Sequence, residues 1–319
     1  MDIAHFGDLE MVSRILESTR ERYGFGDISA RHGIFFAAFG QNYLDEVIEN
    51  LAASPGVKEL EENPECRLFV ITSEGAVHSA CPPSVQTIRV GSISDWPDSE
   101  RLSNRFYKWG LPLLFPNIGA SIYLDADIVV VAGAAKLVGL FEATEREGFI
   151  VNRHPRRRSW KEEYSHILFR ARQADTAKLR KHFDHLEQIG VPLDMPVCQN
   201  KMLARKHGST FDRLSLLTLG QIHRFSERDQ LGFMAARHAF GSEPSIKEEG
   251  VYLYKDCGRI DERTLCFASI PFKRGTYRKS WNVERAIGAI FRLYDRLSYE
   301  AFRLFRLGRI HERYGSRSR

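Results

Sequence analysis

The stretch Ala120-Ser-Ile-Tyr-Leu-Asp-Ala-Asp127 decides the fold class, because an apolar segment ends abruptly in two acids. A short apolar run of this kind is typical of a strand buried inside a sheet. In an extended chain, residues i and i+2 project to the same side, so the carboxylates of Asp125 and Asp127 can face one ligand. The stretch therefore predicts an interior strand whose carboxyl end presents two acids.

The same alternation of apolar runs and amphipathic stretches extends along most of the chain. Strands are predicted at residues 32–39, 67–72, 85–90, 120–124, 148–152, 195–205 and 251–254. Helices are predicted at residues 43–53, 99–114, 134–146, 214–223 and 228–240, with one helix or a pair over 160–189. Strands that alternate with helices predict an α/β fold with a mostly parallel sheet flanked by helices. Such sheets bind ligands at the carboxyl ends of their strands.

Composition and charge divide the chain into three parts. The 319 residues are 43% hydrophobic and 27% charged, which is typical of a globular protein. Residues 271–319 hold thirteen Lys and Arg and four acids, a net +9 that leaves −4 for the rest of a chain whose total is +5. We predict an N-terminal helical appendage over residues 1–30, a catalytic body over 31–270 and a basic amphipathic helical tail over 271–319.

The basic tail leaves two interpretations open. Apolar residues recur at helical spacing between Val283 and Leu297, with arginines over much of the remainder. Such a helix can lie on an anionic membrane surface, or it can pack against the body with its arginines solvated. No nucleic-acid motif is present, so nucleic acid is not a predicted partner. The chain shows no apolar run of about 20 residues and no signal peptide, and we expect a cytoplasmic protein that is peripheral at the inner membrane if the tail binds there.

The acidic pair has three interpretations. Asp125 and Asp127 offer the oxygen ligands that Mn²⁺ and Mg²⁺ prefer, and such cations often share their shell with substrate phosphates. Alternatively, the two acids are solvated loop residues. The run from Asp125 to Val129 also fits the first motif of haloacid-dehalogenase-type phosphatases, with Asp125 as the nucleophile. That motif must lie on the first strand and be followed by a Gly-Asp element. Neither condition holds for Asp125, so we favour a metal bound with a diphosphate.

Four segments, in order and spacing, resemble a family of glycosyltransferase-like proteins related to glycosyltransferase family 8. The segments are Phe39-Gly40 with Tyr43; Tyr107-Lys-Trp-Gly-Leu-Pro112-Leu-Leu-Phe-Pro116-Asn117 leading into Asp125; Asn152-Arg-His154-Pro155 with Arg157 and Glu162-Glu163; and Ser226 with Arg228-Asp229-Gln230-Leu231 and Phe233. They span residues 32–240. The resemblance is incomplete, because members of that family often lack the full Asp-x-Asp that this chain has, and the basic tail matches nothing in it.

The resemblance implies a GT-A fold and a nucleotide-sugar donor, and it leaves retention or inversion at the sugar open. It indicates a metal-dependent glycosyltransferase, most simply a hexosyltransferase, with a glycan or lipid-linked acceptor and a place in surface-polysaccharide biosynthesis. A non-catalytic protein that binds nucleotide-sugar or carbohydrate remains an alternative.

The same resemblance implies where the donor binds. Ala37, Phe39 and Gly40 end the first strand, at the edge that receives the base and ribose in a GT-A sheet; an ordinary strand-to-helix turn is the alternative. Thr72, at the end of the second strand, is a candidate partner of the base. The remaining candidates are Arg105 and Lys108 for the diphosphate or sugar, Ala126 between the two acids, and Asn200, which either bonds sugar hydroxyls or faces solvent.

Two roles stay undecided between residues. His154 and His223 are both candidates for a third metal ligand. Asp229 and Gln230 open a helix, where an acid is favourable for the helix alone, and the resemblance implies that Asp229 reaches the sugar or the acceptor hydroxyl. If the enzyme inverts, Asp229 is the candidate general base. If it retains, no residue stands out as a nucleophile, and front-side departure assisted by the diphosphate is the simpler expectation.

Overall fold

The computed structural model describes residues 9–52, 54–61, 63–76, 78, 81–130, 133–154, 157, 159–169, 176–241, 244–247, 252–254 and 267–269. The helices are α1 (Leu9–Arg22), α2 (Gln41–Ala52), α3 (Pro55–Glu61), α4 (Glu100–Leu114), α5 (Ala134–Glu147), α6 (Trp160–Phe169), α7 (Thr176–Gln188), α8 (Asp212–Arg224) and α9 (Asp229–Phe240). The strands are β1 (Ala30–Ala38), β2 (Cys66–Ser73), β3 (Val85–Val90), β4 (Ile118–Leu124), β5 (Ile128–Val130), β6 (Phe149–Arg153), β7 (Cys198–Lys206), β8 (Ser245–Lys247), β9 (Tyr252–Tyr254) and β10 (Phe267–Ser269).

A seven-stranded sheet in the order β3-β2-β1-β4-β7-β6-β8 forms the centre of the fold. All of its neighbouring strands pair in parallel except β7, which is antiparallel to both β4 and β6. A second sheet has the order β5-β10-β9. The predicted α/β class, with a mostly parallel sheet flanked by helices, is confirmed.

Residues of β4 point alternately into two apolar layers, one on each face of the sheet. Tyr123 packs in the layer that includes residues of α1, α4, α8 and α9, whereas Ile122 and Leu124 pack in the layer that includes residues of α2, α3 and α5. Burying each such side chain contributes about 1.5–3 kcal/mol to folding. Because both faces are covered, β4 reads in the sequence as a continuous apolar run.

The antiparallel β7 brings a distant segment to the carboxyl end of β4. Leu124 pairs with Met202, and the N–H of Asp125 donates to the carbonyl of Lys201 over 2.9 Å. The first residues of β7 therefore lie beside the acidic pair.

The helices and strands predicted between residues 32 and 254 are present, with ends that differ by no more than three residues. Four short elements were not predicted, namely α3, β5, β8 and β10. Pro55 opens α3, because proline is well tolerated at a first helical position. The segment 160–189, predicted to form one helix or a pair, contains α6 and α7. Residues 170–175 between them lie outside the described part.

The helix predicted in the N-terminal segment is α1, and it packs against α4 and α8. Val12, Ile15 and Leu16 are at most 5% exposed. A Cβ at Gly110 of α4 would come within 2.9 Å of Leu16, so the glycine allows close approach. The domain boundaries at residues 30 and 270 stay predictions, and the predicted tail lies outside the described residues. Among the helices that the structure describes, none combines the length and apolar character needed to cross a bilayer.

Candidate active site

The acidic pair stands at the carboxyl end of β4 with both side chains partly exposed. Asp125 is 23% exposed and Asp127 is 21% exposed. The turn between them is fixed, because the N–H of Ile128 donates to the carbonyl of Asp125 over 3.0 Å and Asn50 Nδ2 lies 3.4 Å from the carbonyl of Ala126. The pair thus lies at the edge where α/β sheets bind ligands.

Each of the two carboxylates contacts a lysine. Lys108 Nζ lies 3.2 Å from Asp125 Oδ1, and Lys201 Nζ donates to Asp127 Oδ2. An ionised carboxylate has about four lone-pair sites, so a lysine contact does not by itself exhaust its acceptor capacity. The partly exposed oxygens therefore fit a hard divalent cation in chemical type.

Behind Asp125 lies a buried network of charges. Lys108 and Asp229 are each 1% exposed, and Lys108 Nζ is 3.0 Å from Asp229 Oδ2. Trp109 Nε1 donates to the same oxygen over 3.3 Å. Arg105 Nε lies 3.6 Å from Asp229 Oδ1, beyond hydrogen-bond range, so that contact is electrostatic. The ionic contacts run from Arg105 through Asp229 and Lys108 to Asp125.

The network fixes the ionisation of its members. Burial alone would raise the pKa of Asp229, but Arg105 and Lys108 outweigh it and lower the pKa to about 2. Burial alone would lower the pKa of Arg105, but Asp229 and Asp125 outweigh it and raise that pKa. Asp229 is thus an inaccessible, weakly basic carboxylate, whereas a general base works best with a pKa near the working pH. Gln230, the next residue, is only partly buried.

Helix α4 positions the cations of this network. Ser99 caps it by accepting the N–H of Leu102 over 3.0 Å. One turn further, Asn104 donates to the carbonyl of Ala37 over 2.7 Å and contacts the hydroxyl of Tyr123 at 3.2 Å. These bonds dock α4 on the ends of β1 and β4, so that Lys108 reaches over the edge of the sheet.

The residues predicted at the end of β1 differ in accessibility. Ala37 and Phe39 are 2% and 7% exposed, and the ring of Phe39 stacks on Tyr107 with centroids 5.5 Å apart. Gly40 has φ of +91°, and a Cβ there would lie 2.8 Å from Glu100 Oε1. Only glycine fits this turn without strain. Of these three residues, Gly40 reaches the surface and the other two belong to the core.

Thr72 is fully buried, and its hydroxyl donates to the carbonyl of Ala38 over 2.7 Å. That bond ties β2 to β1 and directs the hydroxyl into the sheet. The structure thus gives Thr72 an interior partner rather than an accessible position at the edge.

Asn200 lies at the start of β7, directly before Lys201, whose carbonyl accepts the N–H of Asp125. It is 1% exposed, so it does not face solvent, and among the residues that the structure describes neither Oδ1 nor Nδ2 has a hydrogen-bond partner. Gln199 is 3% exposed, and its Oε1 likewise has no partner within the described part of the chain. Such unmet amides are rare in native proteins and call for an explanation.

The two candidate histidines lie elsewhere. His154 follows β6, and its Nδ1 accepts the N–H of Arg157 over 3.0 Å. The ring of His223, in the last turn of α8, packs at 5.3 Å from the ring of Trp96. Within the part of the chain that the structure describes, no three His, Cys, Asp or Glu side chains group as a metal would require. The structure therefore does not bring either histidine to the pair.

Sequence reasoning missed two contributors to this site. Trp109 lies inside the segment that carries the family resemblance, but its indole was not assigned a role. Lys201 follows Asn200 directly, yet nothing local marks it. Its place beside Asp127 depends on the antiparallel course of β7, which a single sequence does not reveal.

An acidic pair with cations around it thus stands at a strand end of an α/β sheet, the edge where such sheets bind ligands. The TOD1/MUCI70 glycosyltransferase-like domain model matches residues 88–265, more than half of the chain. The chain belongs to this glycosyltransferase-like family. No curated protein matches the sequence.

Several solved glycosyltransferases are similar in structure at low sequence identity. WbbM, a bifunctional glycosyltransferase in its apo form, is 12% identical with a TM-score of 0.45, over 76% of this chain and 46% of WbbM. The galactosyltransferase LgtC with donor and acceptor sugar analogues is 14% identical with a TM-score of 0.44, over 74% of this chain and 86% of LgtC. Mouse xyloside xylosyltransferase 1 is 9% identical with a TM-score of 0.45, over 75% and 97%. This chain thus spans less than half of WbbM.

Proposed function

We propose that the protein is a metal-dependent glycosyltransferase that moves a sugar from a nucleoside-diphosphate donor to a glycan or lipid-linked acceptor. The observation that carries the proposal is the partly exposed pair Asp125 and Asp127 at the carboxyl end of β4, with a lysine on each acid. Membership in a glycosyltransferase-like family supports it. A hexosyl donor and a role in surface-polysaccharide biosynthesis are parts of the same proposal.

Mn²⁺ or Mg²⁺ would be held by Asp125 and Asp127, whose oxygen donors suit hard cations. When bound, such a cation stabilises the charge that develops on a leaving diphosphate. His154 and His223 remain candidates for a further ligand only if the site rearranges, because the structure does not bring them to the pair.

The charges of the site support binding of a cation together with the donor. Asp125, Asp127 and Asp229 are matched by Arg105, Lys108 and Lys201. The formal charges of these six described residues therefore cancel. A sugar diphosphate brings about two negative charges, and a divalent cation compensates them, as such cations do at substrate phosphates in other proteins.

The network also bears on how the acceptor is activated. Asp229 is buried, and its pKa of about 2 makes it a weak proton acceptor at neutral pH. We assign Asp229 the role of counter-ion to Lys108 and Arg105. The site then has no assigned general base, which favours front-side departure with retention over inversion through Asp229. Gln230, which is more accessible, is the candidate to contact the sugar.

The test is the melting temperature of the purified protein with uridine, guanosine, cytidine and adenosine diphosphates and their sugar conjugates, with and without Mn²⁺. A ligand that binds only the folded state raises the melting temperature by mass action. We expect a Mn²⁺-dependent rise with one nucleoside diphosphate, which Asp127→Ala abolishes. Hydrolysis or transfer of the matching nucleotide-sugar then establishes catalysis.

Other outcomes would contradict the proposal. Binding without turnover would indicate a non-catalytic nucleotide-sugar-binding protein. No rise with any nucleotide, together with a phosphoenzyme trapped on Asp125, would indicate the phosphatase alternative. Peripheral contact of residues 271–319 with anionic lipid is a separate proposal, which vesicle sedimentation of the full chain against a chain ending at residue 270 tests directly.

A further inference from the structure

Helix α4 contains a proline one turn after Lys108. Pro112 lies inside the helix and has no N–H, so the carbonyl of Lys108, four residues earlier, loses its helical donor. A buried carbonyl without a donor is costly, and native structures nearly always supply one. The donor must therefore come from outside the helix.

Arg205 of β7 supplies it. Its Nη2 donates to the carbonyl of Lys108 over 2.5 Å, and its Nη1 donates to the carbonyl of Trp109 over 3.2 Å. Nη1 also lies 3.4 Å from Ser215 Oγ. Arg205 is 1% exposed, and burial lowers its pKa to about 9. Burying a guanidinium is costly because the charge loses its hydration, so its position here indicates a specific structural role.

The two carbonyls belong to the residues that hold Asp229. Lys108 Nζ and Trp109 Nε1 both bond Asp229 Oδ2, and Lys108 also reaches Asp125 at the edge. The backbone of this turn thus sets where the ammonium and indole donors lie. Whatever fixes the two carbonyls fixes the spacing between the buried carboxylate and the acidic pair.

We propose that Arg205 is a positioning residue that replaces the N–H missing at Pro112 and so holds Lys108 and Trp109 at the active site. The inference rests on the proposed transferase function for its consequence in catalysis, but its structural part is testable without any substrate. The proposal predicts that the need for Arg205 depends on Pro112. Restoring an N–H at position 112 should therefore make the arginine partly dispensable.

The test compares Arg205→Met, Pro112→Ala and the double variant by nitrogen–proton NMR of the tryptophan indoles. The chain has four tryptophans, and Trp109→Phe assigns the resonance of Trp109. Arg205 Cζ also lies 5.8 Å from the centroid of the Trp109 ring, so removing the guanidinium shifts the indole signal directly as well as through the backbone. We expect Arg205→Met to shift the Trp109 indole signal and Pro112→Ala to leave it near its wild-type position. The double variant should lie between Arg205→Met and the wild type. The indole of Trp160, which donates to Pro192, is the internal control and should not move.

Affinity for the nucleoside diphosphates, with Mn²⁺, supplies the functional readout. Arg205→Met should weaken it roughly tenfold, because Lys108 would no longer be held where its charge-assisted hydrogen bond can reach the diphosphate, and the double variant should recover most of that loss. If Arg205→Met does not fold, Arg205→Lys with and without Pro112→Ala replaces it, because lysine keeps one donor.

A double variant that is folded but no closer to wild type than the single variant, in the Trp109 signal, would overturn the proposal. If no nucleotide binds any form, including wild type, the proposed function fails while the indole comparison still decides the role of Arg205. A Trp109 signal that Arg205→Met leaves unmoved would likewise overturn it.

Discussion

Lys108 Nζ lies 3.0 Å from Asp229 Oδ2, and both side chains are 1% exposed. The same ammonium is 3.2 Å from Asp125 Oδ1, which is 23% exposed at the edge of the sheet. One cation therefore joins the interior of the protein to its candidate ligand site. Coulomb attraction is stronger where water is excluded, so the interior half of this bridge anchors the exposed half.

Replacing Lys108 by methionine should destabilise the protein by about 3–5 kcal/mol, because it leaves Asp229 as a buried charge without its closest partner. Urea denaturation monitored by tryptophan fluorescence gives the change in free energy of unfolding. The matched control is Lys201→Met. Its pair with Asp127 is partly exposed, so we expect a loss of only about 0–1 kcal/mol. Equal losses in the two variants would contradict the buried bridge.

The ionisation of Asp229 predicts a specific pH dependence. Its pKa is lowered from the ordinary 3.8 to about 2, so the carboxylate contributes stability that is present above pH 3.8 and is lost as the pH falls towards 2. The contribution is on the order of 2 kcal/mol. A carbon-13 carboxyl titration, assigned with Asp229→Asn, should show no change above pH 3.8. A midpoint above that value would mean that Lys108 and Arg105 do not hold the charge.

Two buried histidines predict a second loss of stability in acid, which begins at a higher pH than the loss due to Asp229. His207 contacts the carbonyl of Phe115 at 2.8 Å and Ser121 Oγ at 2.7 Å, and burial lowers its pKa to about 3. Burial likewise lowers the pKa of His182 to about 3. Each stays neutral in the folded state but gains a proton on unfolding below pH 6.5, so stability falls as the pH drops from 6.5 towards 3.

The free energy of unfolding, measured in urea at several pH values, tests this loss. Each histidine contributes a slope of about 1.4 kcal/mol per pH unit within that window. His207→Gln, which keeps a donor and an acceptor, should lower stability at pH 7 but flatten the slope by one histidine's share. An unchanged slope in that variant would show that His207 titrates normally.

The site could be predicted from sequence where its cause is local. The acidic pair follows from an apolar run ending at Asp125, and Lys108 follows from the segment that carries the family resemblance. The contact between Trp109 and Asp229 could not be predicted in this way, because the two residues are 120 positions apart and meet only when α9 packs beside α4. Lys201 depends on the direction of β7, which periodicity does not encode.

A sequence also shows that a residue is polar but not how its hydrogen bonds are met. Thr72 and Asp229 were both expected to face a ligand, and both have interior partners, the carbonyl of Ala38 and the ammonium of Lys108. Asn200 was expected to meet either a sugar or solvent, and it is buried with no partner among the residues described. Polar satisfaction is a property of the packed structure, so it separates residues that the sequence treats alike.

The turn after β1 predicts a glycine requirement. Gly40→Ala should cost about 1–3 kcal/mol, because alanine is strained at φ of +91° and its Cβ would meet Glu100 at 2.8 Å. Thermal unfolding gives the loss. Adding Glu100→Ala to Gly40→Ala should recover only the part of the stability loss that comes from crowding against Glu100, since the backbone strain remains. Gly26→Ala is the control, with no atom within 4 Å of the added Cβ, and should change stability by no more than about 0.5 kcal/mol. Equal effects at Gly40 and Gly26 would contradict this account.

A substitution at Asn200 should affect stability and ligand binding differently. Its Oδ1 and Nδ2 are buried and have no partner in the described ranges of the chain, so Asn200→Leu should leave the free energy of unfolding unchanged or raise it by about 1 kcal/mol. Thr72→Val is the matched contrast, because it deletes a satisfied bond to Ala38 and should lower stability by about 1 kcal/mol.

If Asn200 reads sugar hydroxyls, Asn200→Leu should weaken binding of the nucleotide-sugar while leaving binding of the bare nucleoside diphosphate intact. Calorimetric titration of both ligands measures the difference. The reason is that the unmet amide destabilises the ligand-free protein, and the hydroxyls of the donor sugar, which the bare nucleoside diphosphate lacks, would be its partners. Equal weakening of both ligands would place Asn200 at the diphosphate instead. A loss of stability of several kcal/mol in Asn200→Leu would show that its amide has a partner in the folded protein.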